Sequence, residues 1–289
     1  MTKFKKFYWR IQDEYRSVKA ARFIAGQIPR GPGAVKVMTY VATAGLCNRI
    51  RAHLACSELA RINGARVAPV WIKNAHCGAD FRDLFTTGPM PARNSMGERT
   101  KVGSFACRGA ALYGSDKCHV LDFDWQYQEI HVLERLLGCQ DLIRHLPRFR
   151  PEVLAGADRL LARLGADGIV VHIRRGDFVT HTGQALTLSH YAEQIRSLVA
   201  LHGKLPVHII SDGSRDELWG LMEGFDAVLV SSHSDLGRGQ ASVIDAAHEI
   251  IFAARSRFFI GTPSSSFSEI IMALRNSAVL DAQGNPAPL

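Results

Sequence analysis

The sequence predicts an α/β protein in which strands and helices alternate and the strands are largely parallel. Short runs of β-branched residues, typical of strands buried on both faces, alternate with longer segments of helical periodicity. A helix between two strands implies a parallel pair joined by a right-handed crossover. The chain has 289 residues, of which 47% are hydrophobic, so it is long enough to bury a sizeable core.

The first half contains one strand–helix–strand unit after an amino-terminal segment. Residues 1–22 predict an amphipathic helix, which either packs on its own domain or lies on an acidic membrane surface. Prolines and glycines in 27–33 end that helix. The elements that follow are a strand at 35–41, a small-residue loop at 42–48, a helix at 49–63 and a strand at 66–72.

The middle of the chain has weaker signals. Residues 76–114 predict an irregular, partly helical connection. Residues 120–125 predict a strand and 129–146 a helix. Pro151 follows a charged stretch and is typical of the first turn of a new helix, so we expect a domain boundary there.

The second half repeats the alternation of strand and helix. We predict helices at 152–164, 189–202, 215–223, 240–254 and 266–274, and strands at 168–173, 206–211, 227–230, 257–260 and 279–280. Several of these strands end in polar residues. In open α/β sheets, ligands bind outside the carboxyl ends of the strands, so these ends are the candidate sites.

The charge and composition narrow the classes of partner. The formal net charge of +8 favours an anionic partner: nucleic acid, acidic lipid or a phosphorylated substrate. The basic residues are scattered beyond the amino-terminal cluster, which argues against a nucleic-acid groove. No apolar run approaches membrane-spanning length, and the first 22 residues lack the apolar core of a signal peptide. We expect a cytoplasmic protein; if its amino-terminal helix lies on acidic lipid, the protein is peripheral to the inner face of a membrane.

The six cysteines form no Cys-x-x-Cys pair. In a chain of this length we expect reduced thiols. A zinc site is the alternative, although its spacing fits no structural zinc pattern; its ligands would come from His76, Cys77, Cys107, Cys118 and His119.

Asp122 and Asp124 form a DxD pattern, which marks metal-dependent glycosyltransferases of another fold; we interpret it as a polar strand end. We expect no metal site.

The motif His-Ile-Arg-Arg-Gly-Asp at 172–177 ends a buried strand. A planar guanidinium donates two parallel hydrogen bonds to phosphate oxygens, so Arg174 and Arg175 are suited to hold a phosphate. The alternative is that both arginines form surface ion pairs with Asp177 or with a helix.

Three further segments are candidate binding loops. Gly45, Asn48 and Arg49 belong to a loop opening a helix, whose N–H groups attract an anion; alternatively, Asn48 is an ordinary helix cap. Asp212 either accepts hydrogen bonds from a base or ribose, or caps the following helix. The serine-rich segment 261–268 predicts a phosphate cradle at a helix start, because three consecutive serines exceed what capping needs. No GxGxxG fingerprint is present.

In this order, GLCNR, HIRRGD, ISD and IGTPSSSFS resemble the motifs of the GDP-fucose-dependent fucosyltransferases, which include the α-1,2, α-1,6 and protein O-fucosyltransferases. The resemblance covers about 37–72 and 167–275 and leaves 76–150 unmatched. It implies a GT-B-like arrangement of two Rossmann-like domains facing across a cleft. Residues 1–150 would form the acceptor-side domain, with the amphipathic helix at its start, and 151–289 the domain that binds the nucleotide sugar.

The resemblance also implies roles for single residues. Arg174 matches the arginine that holds the β-phosphate of the donor, Asp177 closes that motif, and Asp212 falls where the family contacts the nucleoside. The remaining donor-binding residues that it implies are Gly45, Asn48, Arg49, His172, Arg175, Ser264, Ser265, Ser266 and Phe267.

The implied reaction is inverting, metal-independent transfer of fucose from GDP-fucose to a glycan, glycolipid or protein hydroxyl, with no cofactor besides the donor. The α-1,6 branch carries a glutamate shortly after HxRRxD, whereas residues 178–182 contain no carboxylate. The base would then be His181, Asp177 or a residue of the middle segment; we favour His181, whose ordinary pKa near 6.5 suits the task. The alternatives are transfer from another nucleotide sugar, and a non-catalytic module that binds nucleotide sugar or glycan.

Overall fold

The computed structural model describes residues 37–42, 45–62, 66–71, 73, 75–86, 110–112, 118–122, 142–175, 186–232 and 239–277. The chain divides into two compact units, Met1–Pro147 (unit 1) and Arg148–Leu289 (unit 2). Within the described residues, each unit contains a four-stranded sheet. The predicted amino-terminal helix and the last predicted strand, 279–280, lie outside the described residues.

Unit 1 is built on a mixed sheet in the order β2-β1-β4-β3. Its strands are β1 (Val37–Ala42), β2 (Arg66–Trp71), β3 (Ala110–Leu112) and β4 (Cys118–Asp122), and its helices are α1 (Leu46–Ile62), α2 (Phe81–Leu84) and a 3-10 helix (Ile143–His145). β1 runs parallel to β2 and β4, whereas β3 pairs antiparallel to β4. Pro69 lies in β2, an edge strand of this sheet, where a missing N–H is tolerated.

The predicted strand–helix–strand unit is confirmed, with shifted boundaries. α1 begins at Leu46, three residues before the predicted start, and the N–H of Arg49 donates to the carbonyl of Gly45 at 3.1 Å. Asn48 therefore lies inside the first turn, and its interpretation as a helix cap is wrong. β3 is a further difference, because it forms within the segment that the sequence predicts to be irregular.

A short helix survives in unit 1 because it is capped and packed. Asp80 accepts hydrogen bonds from the N–H groups of Arg82 and Asp83 at 2.7 and 3.2 Å, while Asp83 accepts one from Asp80, which completes a capping box. Phe81 meets the ring of Trp71 edge-on, with centroids 5.4 Å apart. The cap and the aromatic contact hold α2 against the end of β2.

Unit 1 also contains a buried carboxylate that contacts two arginines and a histidine. Glu58 is 3% exposed and accepts two hydrogen bonds from Arg61, at 2.7 and 2.8 Å. His145 lies 2.6 Å and Arg144 3.2 Å from the same carboxylate. The Arg61 hydrogen bond is the main reason that the pKa of Glu58 falls to about 2. The cluster links α1 to the 3-10 helix.

Unit 2 is built on an all-parallel sheet in the order β7-β6-β5-β8. Its elements are α3 (Pro151–Leu164), β5 (Ile169–Ile173), α4 (Leu188–His202), β6 (Val207–Ser211), α5 (Arg215–Phe225), β7 (Val228–Ser232), α6 (Gln240–Arg255), β8 (Phe258–Ile260) and α7 (Ser266–Asn276). The predicted alternation is confirmed, and Pro151 stands at the first turn of α3 as expected.

Alternate residues of the central strands point to different layers of the core. Val171 of β5 belongs to a buried cluster with Ile195 of α4 and Leu218 of α5. On β6, His208 lies 5.7 Å from the ring of Phe252 on α6. Both faces of these strands are buried, which explains why their sequences read as continuous apolar runs.

α3 and α6 approach closely at Gly156. A Cβ at that position would overlap the imidazole of His248, so glycine makes room for this ring although glycine weakens a helix interior. Among the described residues no helix combines the length and the apolar character needed to cross a membrane.

Candidate functional site

The candidate site lies where the strand order of unit 2 reverses. The chain proceeds from β5 to β6 and β7 on one side, and then returns to place β8 on the other side of β5. Such a switch point is where open parallel sheets bind ligands. The segments that follow the two flanking strands are 174–175 and 261–265, so the structure brings together two motifs that lie about 90 residues apart.

Thr262 connects these two segments. The N–H of Arg174 donates to Thr262 Oγ1 at 2.9 Å, and the N–H of Ser265 donates to the Thr262 carbonyl at 3.3 Å. Thr262 is 2% exposed. The main chain of Arg174 and the main chain of the serine-rich loop therefore both form hydrogen bonds to this buried residue.

The side chain of Arg174 forms an ion pair with Asp212, at the end of β6. Arg174 Nη1 donates to Asp212 Oδ2, and the N–H of Arg175 donates to Asp212 Oδ1 at 2.6 Å. The two side chains of the ion pair are 24% and 18% exposed, so a ligand can reach them. Of the two interpretations of Arg174, the ion pair is present, but its partner is a neighbouring strand end.

Asp212 does not cap the helix that follows it, so that interpretation is wrong. The capping residue of α5 is Ser214, whose Oγ accepts a hydrogen bond from the N–H of Glu217 at 3.2 Å. Glu217 returns a bond by accepting the N–H of Ser214 at 2.8 Å. With the cap supplied two residues later, Asp212 is left to orient the arginines.

Arg175 is packed more closely than Arg174. Its Nη1 donates to the carbonyl of Leu186 at 3.4 Å, and its Nε is buried without a hydrogen-bond partner in the described part of the chain. A Cβ at Gly213 would lie 3.0 Å from Arg175 Cγ. Arg175 thus contacts the segment after β6 in two ways: its N–H donates to Asp212, and the aliphatic part of its side chain packs near Gly213.

His172 joins β5 to the start of α7. Its Nδ1 lies 2.7 Å from Ser268 Oγ, and its ring stacks on Phe267 with centroids 4.6 Å apart. Ser268 Oγ also accepts the N–H of Thr262 at 2.9 Å. Gly261 allows this approach, because a Cβ there would lie 2.9 Å from Ser268 Cβ. His172 is 4% exposed, so little of its side chain is open to a ligand.

The serine loop presents a helix amino terminus to the site. Ser264 adopts a left-handed conformation with φ of 60°, which turns the chain sharply. Ser265 is the residue before α7 and makes no capping hydrogen bond with its side chain, and Ser266 begins the helix. The positive end of the α7 dipole at this point favours an anion.

The candidate residues of unit 1 are placed differently. Gly45 precedes α1, Asn48 is half-buried, and Arg49 is completely buried. The guanidinium carbon of Arg49 lies 5.8 Å from the ring centroid of Trp71. Arg49 is therefore part of the core of unit 1.

Two predicted catalytic residues, Asp177 and His181, lie outside the described residues. Their roles therefore stay predictions.

The zinc interpretation gains no support from the described residues, among which no group of three or more His, Cys, Asp or Glu side chains could hold a metal. Cys77 is a buried thiol that donates to the carbonyl of Ala79, and burial raises its pKa. Asp122 is the last residue of β4, a strand that the sequence predicts at 120–125, and Asp124 lies outside the described part of the chain.

Two residues of the site have no signal in the sequence motifs. Thr262 reads as one more hydroxyl of the serine-rich segment, and Tyr191 of α4 reads as part of a buried helix face. Their oxygens lie 2.8 Å apart, and Tyr191 is 1% exposed. Burial is the main reason that the pKa of Tyr191 is raised. A contact across 71 residues leaves no local pattern that could have revealed it.

Comparison with known proteins finds matches among solved structures. No family model matches the chain, and no curated protein sequence matches it. NodZ, an α-1,6-fucosyltransferase known from Bradyrhizobium, was solved after soaking with GDP-fucose; it matches with a TM-score of 0.54 and 16% identity, over 83% of this chain and 92% of NodZ. The chain has the fold of fucosyltransferases.

Two other solved structures agree. POFUT1 in complex with GDP matches with a TM-score of 0.55 and 15% identity, over 86% of this chain and 96% of POFUT1. A mutant of Arabidopsis thaliana FUT1 in complex with GDP matches with a TM-score of 0.53 and 12% identity, over 91% of this chain and 73% of FUT1. The resemblance predicted from the motifs is thus confirmed at the level of the fold.

Proposed function

We propose that this chain transfers fucose from GDP-fucose to a hydroxyl of a glycan, glycolipid or protein. The observation that supports the proposal is the meeting of Arg174 and the α7 start on Thr262, at the switch point of a parallel sheet. The fold adds support, because NodZ, POFUT1 and FUT1 were solved with GDP or GDP-fucose.

In this proposal the diphosphate of the donor lies between Arg174 and the first turn of α7. The guanidinium supplies a permanent positive charge, and the helix start supplies N–H groups and serine hydroxyls. Asp212 holds the guanidinium in place through Nη1. A carboxylate has about four lone-pair sites, so Asp212 also retains capacity for a ribose or base hydroxyl or N–H.

The chemistry follows from the charge that develops as the sugar–phosphate bond breaks. The acceptor oxygen attacks the anomeric carbon from the face opposite the phosphate, which inverts that carbon. The bonding electron pair leaves with the phosphate as GDP, and the sugar ring passes through a cation-like state. Arg174 stabilises the leaving charge without a metal ion. The acceptor proton goes to a base, for which His181, Asp177 and a residue of the middle segment are the candidates.

The proposed arrangement of the two units is GT-B-like. Unit 2 would bind the nucleotide sugar, and unit 1 would contribute the acceptor side. The support is the pair of separate sheets, each with its first strand in a central position.

Nucleotide binding is the first test. A thermal-shift panel of GDP, GDP-fucose, GDP-mannose, UDP and UDP-glucose, with and without EDTA, should show the largest shift for GDP and GDP-fucose. A ligand at 100 times its Kd adds about 2.7 kcal/mol to the free energy of unfolding. A larger shift with UDP would contradict the donor, and a shift lost in EDTA would contradict metal independence.

Turnover is the second test and separates an enzyme from a binding module. We expect release of GDP from GDP-fucose, slow with water and faster with a panel of glycan and peptide acceptors. A chain that binds GDP-fucose but releases no GDP under any of these conditions would be a binding module.

A further inference from the structure

The hydroxyl of Thr262 makes three hydrogen bonds at the edge of the candidate site. It donates to the carbonyl of His172 at 2.8 Å and accepts the N–H of Arg174 at 2.9 Å. The third partner is the phenol oxygen of Tyr191, at 2.8 Å. A threonine hydroxyl has one proton, and the carbonyl takes it because a carbonyl only accepts. Tyr191 must therefore be the donor to Thr262.

This hydroxyl continues the sheet beyond the end of β8. The parallel ladder between β5 and β8 ends at the pair Val171 and Ile260. The same register, continued by two residues, sets Thr262 opposite Ile173. A strand residue at that position would bond the two flanking main-chain groups of β5 with its own N–H and carbonyl. Thr262 reaches those same two groups with its side chain instead.

The main chain of Thr262 is thereby released to form the turn into α7. Its N–H donates to Ser268 Oγ at 2.9 Å, and its carbonyl accepts the N–H of Ser265 at 3.3 Å. One residue thus fixes the end of β5 with its side chain and the serine loop with its main chain. The relative position of Arg174 and the α7 start depends on this residue.

Tyr191 forms its hydrogen bond to the Thr262 hydroxyl from helix α4. It lies on α4, which packs on the core face formed by Val171 and its neighbours. Its ring is buried, and its phenol proton is directed to Thr262 by the argument above. Removing the phenol oxygen would take away one of the three bonds that orient the Thr262 hydroxyl, with little loss of packing.

We propose that Tyr191 and Thr262 are positioning residues that hold the main chain of Arg174 in register with the start of α7. The inference rests on the proposed function in so far as Arg174 acts on the donor phosphate. Neither residue touches the donor in this view. Both act through the N–H of Arg174, so they set the direction in which its guanidinium leaves the strand.

The test uses conservative variants of the full chain. Thr262→Val removes the hydroxyl and keeps the shape, Thr262→Ser keeps the hydroxyl, and Tyr191→Phe removes only the phenol oxygen. Ser197→Ala is the matched control, because it removes an exposed hydroxyl from α4 that donates to the carbonyl of Glu193. For each variant we would measure amide hydrogen exchange at Arg174, kcat and KM for GDP-fucose, and the Tm.

We expect exchange at the Arg174 amide to be about tenfold faster in Thr262→Val, because its acceptor is gone, and nearly normal in Thr262→Ser. We expect kcat to fall about tenfold in Thr262→Val and about threefold in Tyr191→Phe with a smaller change in KM, since misplacing a charge by a fraction of an ångström weakens transition-state contacts. Thr262→Ser should recover most of the rate, and Ser197→Ala should behave as the unmodified chain.

Unchanged exchange at Arg174 in Thr262→Val would overturn the inference, as would a loss of rate that follows the loss of Tm across all variants. Failure of Thr262→Ser to restore the rate would also count against it. If the unmodified chain neither binds GDP nor transfers fucose, the proposed function fails. The exchange measurement still decides in that case whether Thr262 fixes Arg174.

Discussion

The two units share the central position of their first strand, but they differ in the burial of the arginine that follows it. In each unit the first strand, β1 or β5, lies between the second strand and a later one that returns on its other side. A segment with an arginine follows each of these first strands. Arg49 is completely buried, one turn into α1, whereas Arg174 at the end of β5 is 24% exposed.

This difference separates a structural arginine from one that can meet a ligand. In unit 1 the buried carboxylate of Glu58 is likewise taken up by protein partners, which are Arg61, Arg144 and His145. A buried charge stabilises a fold only if its partners compensate for lost hydration, so it is committed to those partners. In unit 2 the ion pair of Arg174 and Asp212 keeps contact with solvent and can exchange water for phosphate.

The largest effect that we expect is on turnover, from Arg174→Ala. Removing the charge that stabilises the leaving phosphate should lower kcat by roughly 10²–10³, or about 3–4 kcal/mol. The Tm should change little, because Asp212 keeps the N–H of Arg175 as a partner. Steady-state kinetics and thermal unfolding measure the two quantities. Arg163→Ala, an exposed arginine of α3, is the control, and equal losses of rate in both variants would reject a specific role.

The counterpart in unit 1 is Arg49→Ala, for which we expect the opposite pattern. Emptying a completely buried site should lower the free energy of unfolding by about 3 kcal/mol, as for large-to-small core substitutions. Urea unfolding measures this loss, and any fall in turnover should follow the unfolded fraction. A variant that unfolds normally but has lost turnover would place Arg49 in the donor site and erase the contrast between the units.

Acid should destabilise unit 1 through a buried histidine, His53. The pKa of His53 is lowered from 6.5 to about 3, mainly by burial and secondly by the nearby His145. Below pH 6.5 the unfolded chain binds a proton at His53 that the folded chain refuses until about pH 3. Protonation of His53 therefore costs no stability above pH 6.5. Between pH 6.5 and about pH 3, each unit by which the pH falls lowers the free energy of unfolding by about 1.4 kcal/mol.

Urea unfolding at pH 7, 6, 5 and 4 checks this prediction. His53→Gln should flatten the dependence on pH, and His202→Gln, which alters an exposed histidine of unit 2, is the control. Glu58 acts in a lower window: its pKa of about 2 means that its contribution is present above pH 4.5 and lost as the pH falls towards 2. An unchanged slope in His53→Gln would show that other groups govern the acid response.

Much of the fold could be predicted because its signals are local. β5 and β6 read as apolar runs because both faces of each strand are buried, and Pro151 marks the first turn of α3. The errors have local causes too. β3 is three residues long, too short for any periodicity, and α1 starts earlier than its apolar pattern indicates.

The candidate site could be predicted only in part. The motifs located Arg174, Asp212 and the serine loop, but each local interpretation left its partner open. Asp212 was equally suited to cap α5, and only the capping box of Ser214 and Glu217 excludes that role. Phe267 stacks on His172, a contact between a helix and a strand 95 positions apart along the chain.

By itself, the sequence determined the alternation of strands and helices and the polar strand ends on which a site could be built, because hydrophobic periodicity and turn residues act over a few positions. Tertiary structure decided which arginine is fully buried and which keeps contact with solvent, and it made Thr262 the residue that joins two distant loops. Such roles depend on packing and on hydrogen bonds between segments far apart in the chain, and no spacing along the sequence encodes them.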